Sequence, residues 1–130
     1  MTNSRQTATP TILIVEDDPN AAAIFAQILE SHGYAVHIAS DATVGLQHIS
    51  NDSPAAVLLD LHLPVNDGID FLRRLRTCVA CANLPVAIVT GDYFIDEDTA
   101  RALTTLNARV HFKPLWEEDL LTLVTELLLK

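Results

Sequence analysis

Short apolar runs alternate with longer amphipathic segments along the chain. The apolar runs are rich in valine, isoleucine and leucine and are bounded by turn residues, which predicts β-strands over residues 11–16, 34–39, 55–60, 85–90 and 109–113. A segment of helical length follows each run, with predicted starts after Asp18, Asp41 and Asp67 and predicted spans of 95–107 and 115–129. The pattern therefore predicts five strand–helix units in succession.

The first predicted helix is marked at both ends. Asp18 is a suitable N-cap, Pro19 fits the first helical position, and Gly33 favours a helix end. Between these residues, apolar side chains recur at the spacing of one helix face: Ile24, Phe25, Ile28 and Leu29. This segment is predicted to pack one face against a sheet.

Such regular alternation predicts an α/β fold. Parallel strands joined by right-handed crossovers place helices on both faces of the sheet, which is the doubly wound arrangement. The first, third and fourth runs are nearly all apolar, as expected of central strands covered on both sides. We therefore expect a five-stranded parallel sheet with five helices in a three-layer sandwich.

Composition narrows the class of protein. With 130 residues and 49% hydrophobic content, the chain can form one domain with its own core, predicted over residues 11–130. No apolar run approaches the roughly 20 residues that a membrane span needs, and the polar segment 1–10 lacks the features of a secretory signal. We expect a flexible N-terminal tail, no membrane association and a cytoplasmic location.

The charge of the chain limits its partners. A formal net charge of −9 disfavours direct binding to nucleic acid or to anionic membranes, because their phosphate groups would be repelled. Proteins and metal ions are the partners that this charge favours.

Polar side chains collect where the predicted strands end. Ligands of open parallel sheets bind beyond the carboxyl ends of the strands. Those ends carry Glu16, Asp17 and Asp18 after the first strand, Asp60 after the third, Thr90 at the fourth and Lys113 at the fifth. Because Asp18 precedes a helical proline, we assign it to helix capping rather than to ligand binding.

The remaining set of side chains has a definite chemistry. Clustered carboxylates without histidine or cysteine favour a hard cation such as Mg²⁺. A carboxylate beside such a cation can attack a phosphoryl group and form an acyl phosphate. Asp60 is the expected acceptor, while Lys113 and Thr90 would contact the phosphoryl oxygens.

Four motifs carry a resemblance to a known family. The segments "ILIVEDD", "VLLDLHLPVNDG", "AIVTG" and "FKP", in this order and at these intervals, resemble the receiver domain of bacterial two-component response regulators, including the chemotaxis regulators. The similarity covers about residues 11–129. It implies a flavodoxin-like sheet with strand order 2-1-3-4-5. It also implies a domain that catalyses only its own phosphorylation and dephosphorylation and is otherwise not an enzyme.

The resemblance also implies roles for individual residues. Asp60 would accept a phosphoryl group from a sensor histidine kinase or a histidine phosphotransfer protein, and the domain would then signal to a downstream protein. Mg²⁺ would be held by Glu16, Asp17, Asp60 and the backbone carbonyl of His62, and the Lys113–Pro114 peptide bond would be cis. Whether the His62 side chain affects hydrolysis of the acyl phosphate stays open.

Two other functions compete with the phosphoacceptor hypothesis. A phosphatase that forms an aspartyl phosphate usually carries an Asp-x-Asp motif after its first strand, and here "EDDPN" leads directly into a helix. A pseudo-receiver would keep the fold as an interaction module without accepting phosphate, but both Asp60 and Lys113 are present. A nucleotide-binding sheet is excluded because the first turn is not glycine-rich.

One departure from the family pattern concerns signal transmission. Val110 occupies the position, three residues before Lys113, where receivers commonly carry the aromatic ring that turns inward on activation. Tyr93 or Phe94 is a candidate for that role. At Asn107, where glycine is frequent, asparagine tolerates the left-handed conformation.

The remaining expectations concern the C-terminal helix, the cysteines and the histidines. Trp116, Leu120, Leu123, Val124 and Leu127 are predicted to form the core face of the last helix. Leu121 and Leu128 form a second apolar stripe, which suggests a homodimer interface or a further covering segment.

Cys78 and Cys81 form a C-x-x-C pair without further zinc ligands, and the histidines are scattered without ligand spacing.

Overall fold

Strands and helices alternate as the sequence pattern predicts. The computed structural model describes residues 9–61, 63, 68–91 and 95–129. The strands are Thr11–Val15 (β1), Ala35–Ala39 (β2), Ala56–Leu59 (β3), Val86–Thr90 (β4) and Ala108–Phe112 (β5). The helices are Pro19–Ser31 (α1), Ala42–Asp52 (α2), Gly68–Thr77 (α3), Glu97–Thr105 (α4) and Glu117–Leu128 (α5). Each element lies within a residue or two of its predicted bounds.

The strands form one parallel sheet in the order β2-β1-β3-β4-β5. The predicted strand order is therefore confirmed. β1, β3 and β4 lie inside the sheet, and nearly all of their side chains are buried, as expected for central strands. The polar ends of β1 and β3 are adjacent in this order, and so are those of β4 and β5.

A separate hydrophobic core covers each face of the sheet. On one face, alternate strand residues such as Leu13, Leu59 and Ile88 pack against α2, α3 and α4. On the other face, residues such as Ile14 and Leu58 pack against α1 and α5. Burying a side chain of this size contributes about 1.5–3 kcal/mol, so the two cores fix the strands firmly.

The N-terminal caps of α1 and α2 are aspartates, as the sequence predicts. Asp18 Oδ1 accepts a hydrogen bond from the Asn20 N–H at 3.0 Å, with Pro19 at the first helical position. Asp41 Oδ1 accepts one from the Val44 N–H at 2.9 Å. α1 ends at Ser31, and Gly33 follows with a φ of +92°, a conformation that glycine adopts without strain.

Arg76, in the last turn of α3, links the end of this helix to the segments that precede β4 and β5. The Arg76 guanidinium donates to the carbonyls of Leu84 at 2.7 Å and Leu106 at 2.8 Å. Three further carbonyls, those of Cys81, Ala82 and Asn107, accept at 3.2 Å each. Since these acceptors precede β4 and β5, Arg76 helps to set where those strands begin.

Two expectations concerned the last helix, α5: the residues of its core face and the second apolar stripe. Leu120, Leu123, Val124 and Leu127 are buried as predicted, but Trp116 is 70% exposed. The prediction for Trp116 is wrong because this residue is the N-cap, before the helical repeat begins. Leu121 and Leu128 are partly buried against the same core, so the chain itself covers part of the second stripe. A homodimer through this helix stays a prediction.

Removing the cap of α1 should destabilise the fold. We expect Asp18→Ala to lower the free energy of unfolding by about 1 kcal/mol, because the Asn20 N–H loses its acceptor. Asp17→Asn is the matched control, since it removes one of several neighbouring negative charges and should not lower stability in metal-free buffer. Urea denaturation measures both variants. Equal losses would show that Asp18 has no special capping role.

Candidate functional site

Three carboxylates meet at the carboxyl edge of the sheet. Glu16 and Asp17 follow β1 and Asp60 follows β3, and one oxygen from each lies within 4.8 Å of the others. The backbone fixes this arrangement: the Asp60 N–H donates to the Val15 carbonyl at 2.9 Å, and the Glu16 N–H donates to the Ala39 carbonyl at 2.9 Å. The acidic cluster predicted from the strand ends therefore exists in the folded chain.

Glu16 is the most constrained member of the cluster. Its residue is 4% exposed, and burial raises the pKa of its carboxyl above the ordinary value. Lys113 Nζ donates to Oε1 at 2.7 Å, and the Asp18 N–H donates to Oε2 at 3.2 Å. Both hydrogen bonds favour the charged form and oppose the effect of burial. The Glu16 side chain is thus fixed by a donor at each oxygen.

Lys113 and Thr90 come together because β4 and β5 are neighbours. The Lys113 N–H donates to the Thr90 carbonyl at 2.8 Å, and the Thr90 residue is fully buried. The Lys113–Pro114 peptide bond is cis, as the resemblance implies. The ammonium group of Lys113 reaches across the edge of the sheet to Glu16, so the cation and the carboxylates belong to one site.

The backbone of Asp60 and Leu61 lies close to the start of α3. The Asp60 residue is 9% exposed. A Cβ atom at position 68 would lie 2.7 Å from the Asp60 carbonyl oxygen and 2.9 Å from that of Leu61, and the Gly68 N–H donates to the Leu61 carbonyl at 2.8 Å. Glycine is therefore required at position 68 by the close approach of the α3 start to the backbone of Asp60 and Leu61, rather than by a positive φ.

Some predicted site residues lie outside the described residues. They are His62, whose carbonyl is a predicted metal ligand, and Tyr93 and Phe94, the candidates for the aromatic residue that turns on activation. Val110 is described, and it packs, partly buried, against the core on the α4 side of the sheet. Phe112 has the register position of Thr90 on β5 and is 39% exposed. By strand alternation, Phe112 shares the face of Val110, so β5 carries an aromatic residue on that face two positions further along.

The expectation that the histidines are scattered is wrong for two of them. His37 on β2 and His48 on α2 have ring centroids 4.9 Å apart, and both approach the carboxylate of Asp52. The i, i+4 spacing of His48 and Asp52 indicates in the sequence that these two side chains can meet on one helix face. The sequence does not indicate the approach of His37, because it depends on how α2 crosses the sheet. Asn107, in contrast, has the expected left-handed φ of +57°.

The two cysteines form a close pair of free thiols. Cys78 Sγ and Cys81 Sγ are 3.0 Å apart at a 3₁₀ turn after α3, and Cys78 is exposed. The hydrogen bond between the two thiols lowers the pKa of Cys78, and it raises the pKa of Cys81 to about 11. Among the described residues, no histidine or carboxylate joins them in a metal-ligand group.

Comparison with known proteins identifies the family. The model of the response regulator receiver domain matches residues 12–125. Response regulator MprA of Mycobacterium sp. (strain KMS) is 34% identical over 89 residues, which are 68% of this chain and 38% of that protein. The chain thus spans well under half the length of this relative.

Solved structures agree in fold. The CheY-like receiver domain protein from Methanospirillum hungatei has 30% identity and a TM-score of 0.85, covering 93% of this chain and 94% of that one. The receiver domain of a signal transduction histidine kinase from Syntrophus aciditrophicus has 26% identity and a TM-score of 0.82, covering 92% and 90%. The chain belongs to the response regulator receiver domain family of two-component signalling. No helix among the described residues is long and apolar enough to cross a membrane.

The Glu16–Lys113 pair should contribute more than a surface ion pair. In a double-mutant cycle with Glu16→Gln and Lys113→Met, we expect a coupling free energy of about 1–3 kcal/mol, because each single change leaves a partly buried charge without its partner. Urea denaturation in metal-free buffer measures the four proteins.

The matched control is the exposed pair of Arg109 and Glu126, in which Arg109 Nη1 lies 3.0 Å from Glu126 Oε1. The cycle with Arg109→Met and Glu126→Gln should give about 0.2–1 kcal/mol, as exposed pairs do. A Glu16–Lys113 coupling no larger than that of this control would contradict the importance of the pair.

Proposed function

We propose that this receiver domain accepts a phosphoryl group on Asp60 in a Mg²⁺-dependent reaction and then signals to a downstream protein. The donor would be the phosphohistidine of a sensor histidine kinase or a histidine phosphotransfer protein. The observation that carries the proposal is the convergence of Glu16, Asp17 and Asp60 on one point, with Lys113 bonded to Glu16 beside them. Thr90 ends the neighbouring strand.

The acidic cluster fits Mg²⁺ by its chemistry. It offers only oxygen ligands, it is partly shielded from solvent, and its carboxylates repel one another unless a cation is present. Glu16, Asp17, Asp60 and the backbone carbonyl of His62 would hold the ion, with water completing the coordination. When bound, Mg²⁺ would neutralise negative charge that builds up on the phosphoryl oxygens during transfer.

The transfer itself would use Asp60 as the nucleophile. A carboxylate oxygen of Asp60 forms the new bond to phosphorus while the phosphorus–nitrogen bond of the donor breaks, and the leaving imidazole nitrogen keeps the electron pair. Lys113 would exchange its bond to Glu16 for one to a phosphoryl oxygen. The Thr90 hydroxyl would donate a second hydrogen bond to the phosphoryl group. Phosphorylation of Asp60 would thus form new contacts with the ends of β4 and β5, where Thr90 and Lys113 lie.

Signal transmission would begin at Thr90. Val110 has no ring to turn, but Phe112 pairs with Thr90 in the sheet and its residue is 39% exposed. We assign the response to the surface formed by β4, β5 and α4, with Phe112 as its aromatic side chain. A downstream protein would recognise this surface once Thr90 has moved toward the phosphoryl group.

An apolar groove beside Lys113 suits the donor protein. Ile24 of α1 is 56% exposed and Trp116 is 70% exposed, and both line a groove that also includes Lys113 and Pro114. Exposed apolar side chains grouped in this way favour protein contacts. A phosphodonor bound there would hold its phosphohistidine at the edge of the sheet that carries Asp60.

Phosphorylation by a small donor tests the proposal. Wild-type protein incubated with acetyl phosphate and Mg²⁺ should gain one phosphoryl group by intact-mass measurement, and chelation of the metal should abolish the gain. Borohydride reduction should convert the acyl phosphate to homoserine at position 60. The fluorescence of Trp116, the only tryptophan of the chain, gives a second readout because its groove includes Lys113.

Asp60→Asn is the control, since it removes the acceptor and keeps the shape of the side chain. The proposal predicts that this variant gains no mass. If the wild type is not phosphorylated in the presence of Mg²⁺, the domain is a pseudo-receiver that keeps the fold as an interaction module. Catalytic release of phosphate from added phosphomonoesters would instead favour the phosphatase alternative.

The division of work between neighbouring aspartates gives a second test. We expect Asp17→Asn to weaken Mg²⁺ binding by about tenfold or more, because it removes a proposed ligand. Asp18→Ala should leave the Mg²⁺ affinity nearly unchanged, because its carboxylate caps α1. Titration of Trp116 fluorescence or isothermal calorimetry measures both. Equal losses of affinity would contradict the assignment of Asp17 as a ligand and Asp18 as a cap.

A further inference from the structure

A second group of metal-binding side chains lies between β2 and α2. By strand alternation, His37 faces α2, because its neighbour at i+2, Ala39, packs in the core beneath that helix. His48 and Asp52 are one helical turn apart and face the same strand. One possible ligand atom from each residue lies within 4.8 Å of the other two.

The carboxylate of Asp52 approaches two imidazole rings rather than one. His48 Nδ1 is 2.5 Å from Asp52 Oδ2, and His37 Nε2 is 3.7 Å from the same oxygen. A ring nitrogen of each histidine therefore lies within 4 Å of the same carboxylate oxygen, and the ring centroids are 4.9 Å apart. His32 offers the contrast of a simple pair, since its Nε2 is 3.8 Å from one carboxylate oxygen of Glu117.

The donor set indicates the class of ion. Two imidazole nitrogens and one carboxylate oxygen suit borderline divalent ions such as Zn²⁺, whereas Mg²⁺ prefers oxygen alone. The side chains are between 26% and 42% exposed, so water could complete a tetrahedral coordination. The three residues are held by a sheet strand and a helix packed on it, so small side-chain shifts bring the ligands to bonding distance.

We propose that His37, His48 and Asp52 form a binding site for a divalent transition-metal ion, represented by Zn²⁺. His37 would bind through Nε2, Asp52 through Oδ2 and His48 through Nδ1, with the His48 proton on Nε2. The ion would link the edge strand β2 to α2. The site is separate from the acidic cluster and does not depend on phosphorylation of Asp60.

The test must keep Zn²⁺ away from the other metal-binding groups of the chain. Untagged protein carrying Cys78→Ser and Cys81→Ser removes the thiol pair, and excess Mg²⁺ in the buffer competes for the acidic cluster. In this background, isothermal calorimetry should show one Zn²⁺ per chain. Zn²⁺ should also raise the thermal unfolding midpoint, because only the folded chain presents the three ligands together.

Single substitutions then locate the ion. His37→Ala and His48→Ala should each lower the Zn²⁺ affinity by about tenfold or more and reduce the thermal shift. His32→Ala is the matched control and should change neither measurement. Circular dichroism confirms that each variant is folded, and in the parent protein Zn²⁺ should shift the imidazole NMR signals of His37 and His48, which needs no variant.

The proposal is overturned if Zn²⁺ affinity and thermal shift are the same in His37→Ala and His48→Ala as in the parent. It is also overturned if Zn²⁺ binding disappears with Asp17→Asn, which would place the ion in the acidic cluster. Absence of both calorimetric binding and NMR shifts in the parent protein would show that the three side chains form only hydrogen bonds.

Discussion

The burial of like charges at the ends of adjacent strands is the constraint on which the carboxyl edge of this sheet depends. Glu16 and Asp60 follow β1 and β3, which pair directly, so their carboxylates cannot separate. Glu16 is 4% exposed and would be costly to ionise without a partner. Lys113 supplies that partner from a position 97 residues away in sequence. The ion pair therefore links β1 to β5 across two intervening strands.

The same ion pair shapes what the site can do. Lys113 offsets the charge of only one of the three carboxylates, so the site keeps an excess of negative charge that a divalent cation would balance in the proposed reaction. In the proposed reaction, a phosphoryl group bound to the Lys113 ammonium would free the Glu16 carboxylate to bind a metal ion. Because the Lys113 N–H is bonded to the Thr90 carbonyl, movement of this residue is coupled to the end of β4. In the proposed function, charge added at Asp60 would thus alter the surface formed by β4, β5 and α4.

Much of the fold and of the acidic site could be predicted because local sequence determines them. The spacing of apolar residues gives the order of strands and helices, and Asp18 and Asp41 mark the starts of α1 and α2. In a parallel sheet the carboxyl ends of the strands lie at the same edge, which brings the acidic residues together. Contacts between distant elements could not be predicted. The five carbonyls that Arg76 binds, and the approach of His37 to α2, depend on how helices cross the sheet. Trp116 was misplaced because a helical repeat cannot be extended through its own N-cap.

The two groups of potential metal ligands differ in their ligand atoms, so that each would favour a different class of divalent cation. Both groups lie near β1, since His37 pairs in register with Leu13 of β1 and Glu16 directly follows β1. The group at the carboxyl edge has oxygen ligands alone, which favours small hard ions, and the group under α2 has two imidazoles, which favour borderline ions. A net charge of −9 attracts both kinds equally. Selectivity must therefore come from the ligand atoms, and the group with two imidazoles would discriminate against Mg²⁺, which prefers oxygen alone.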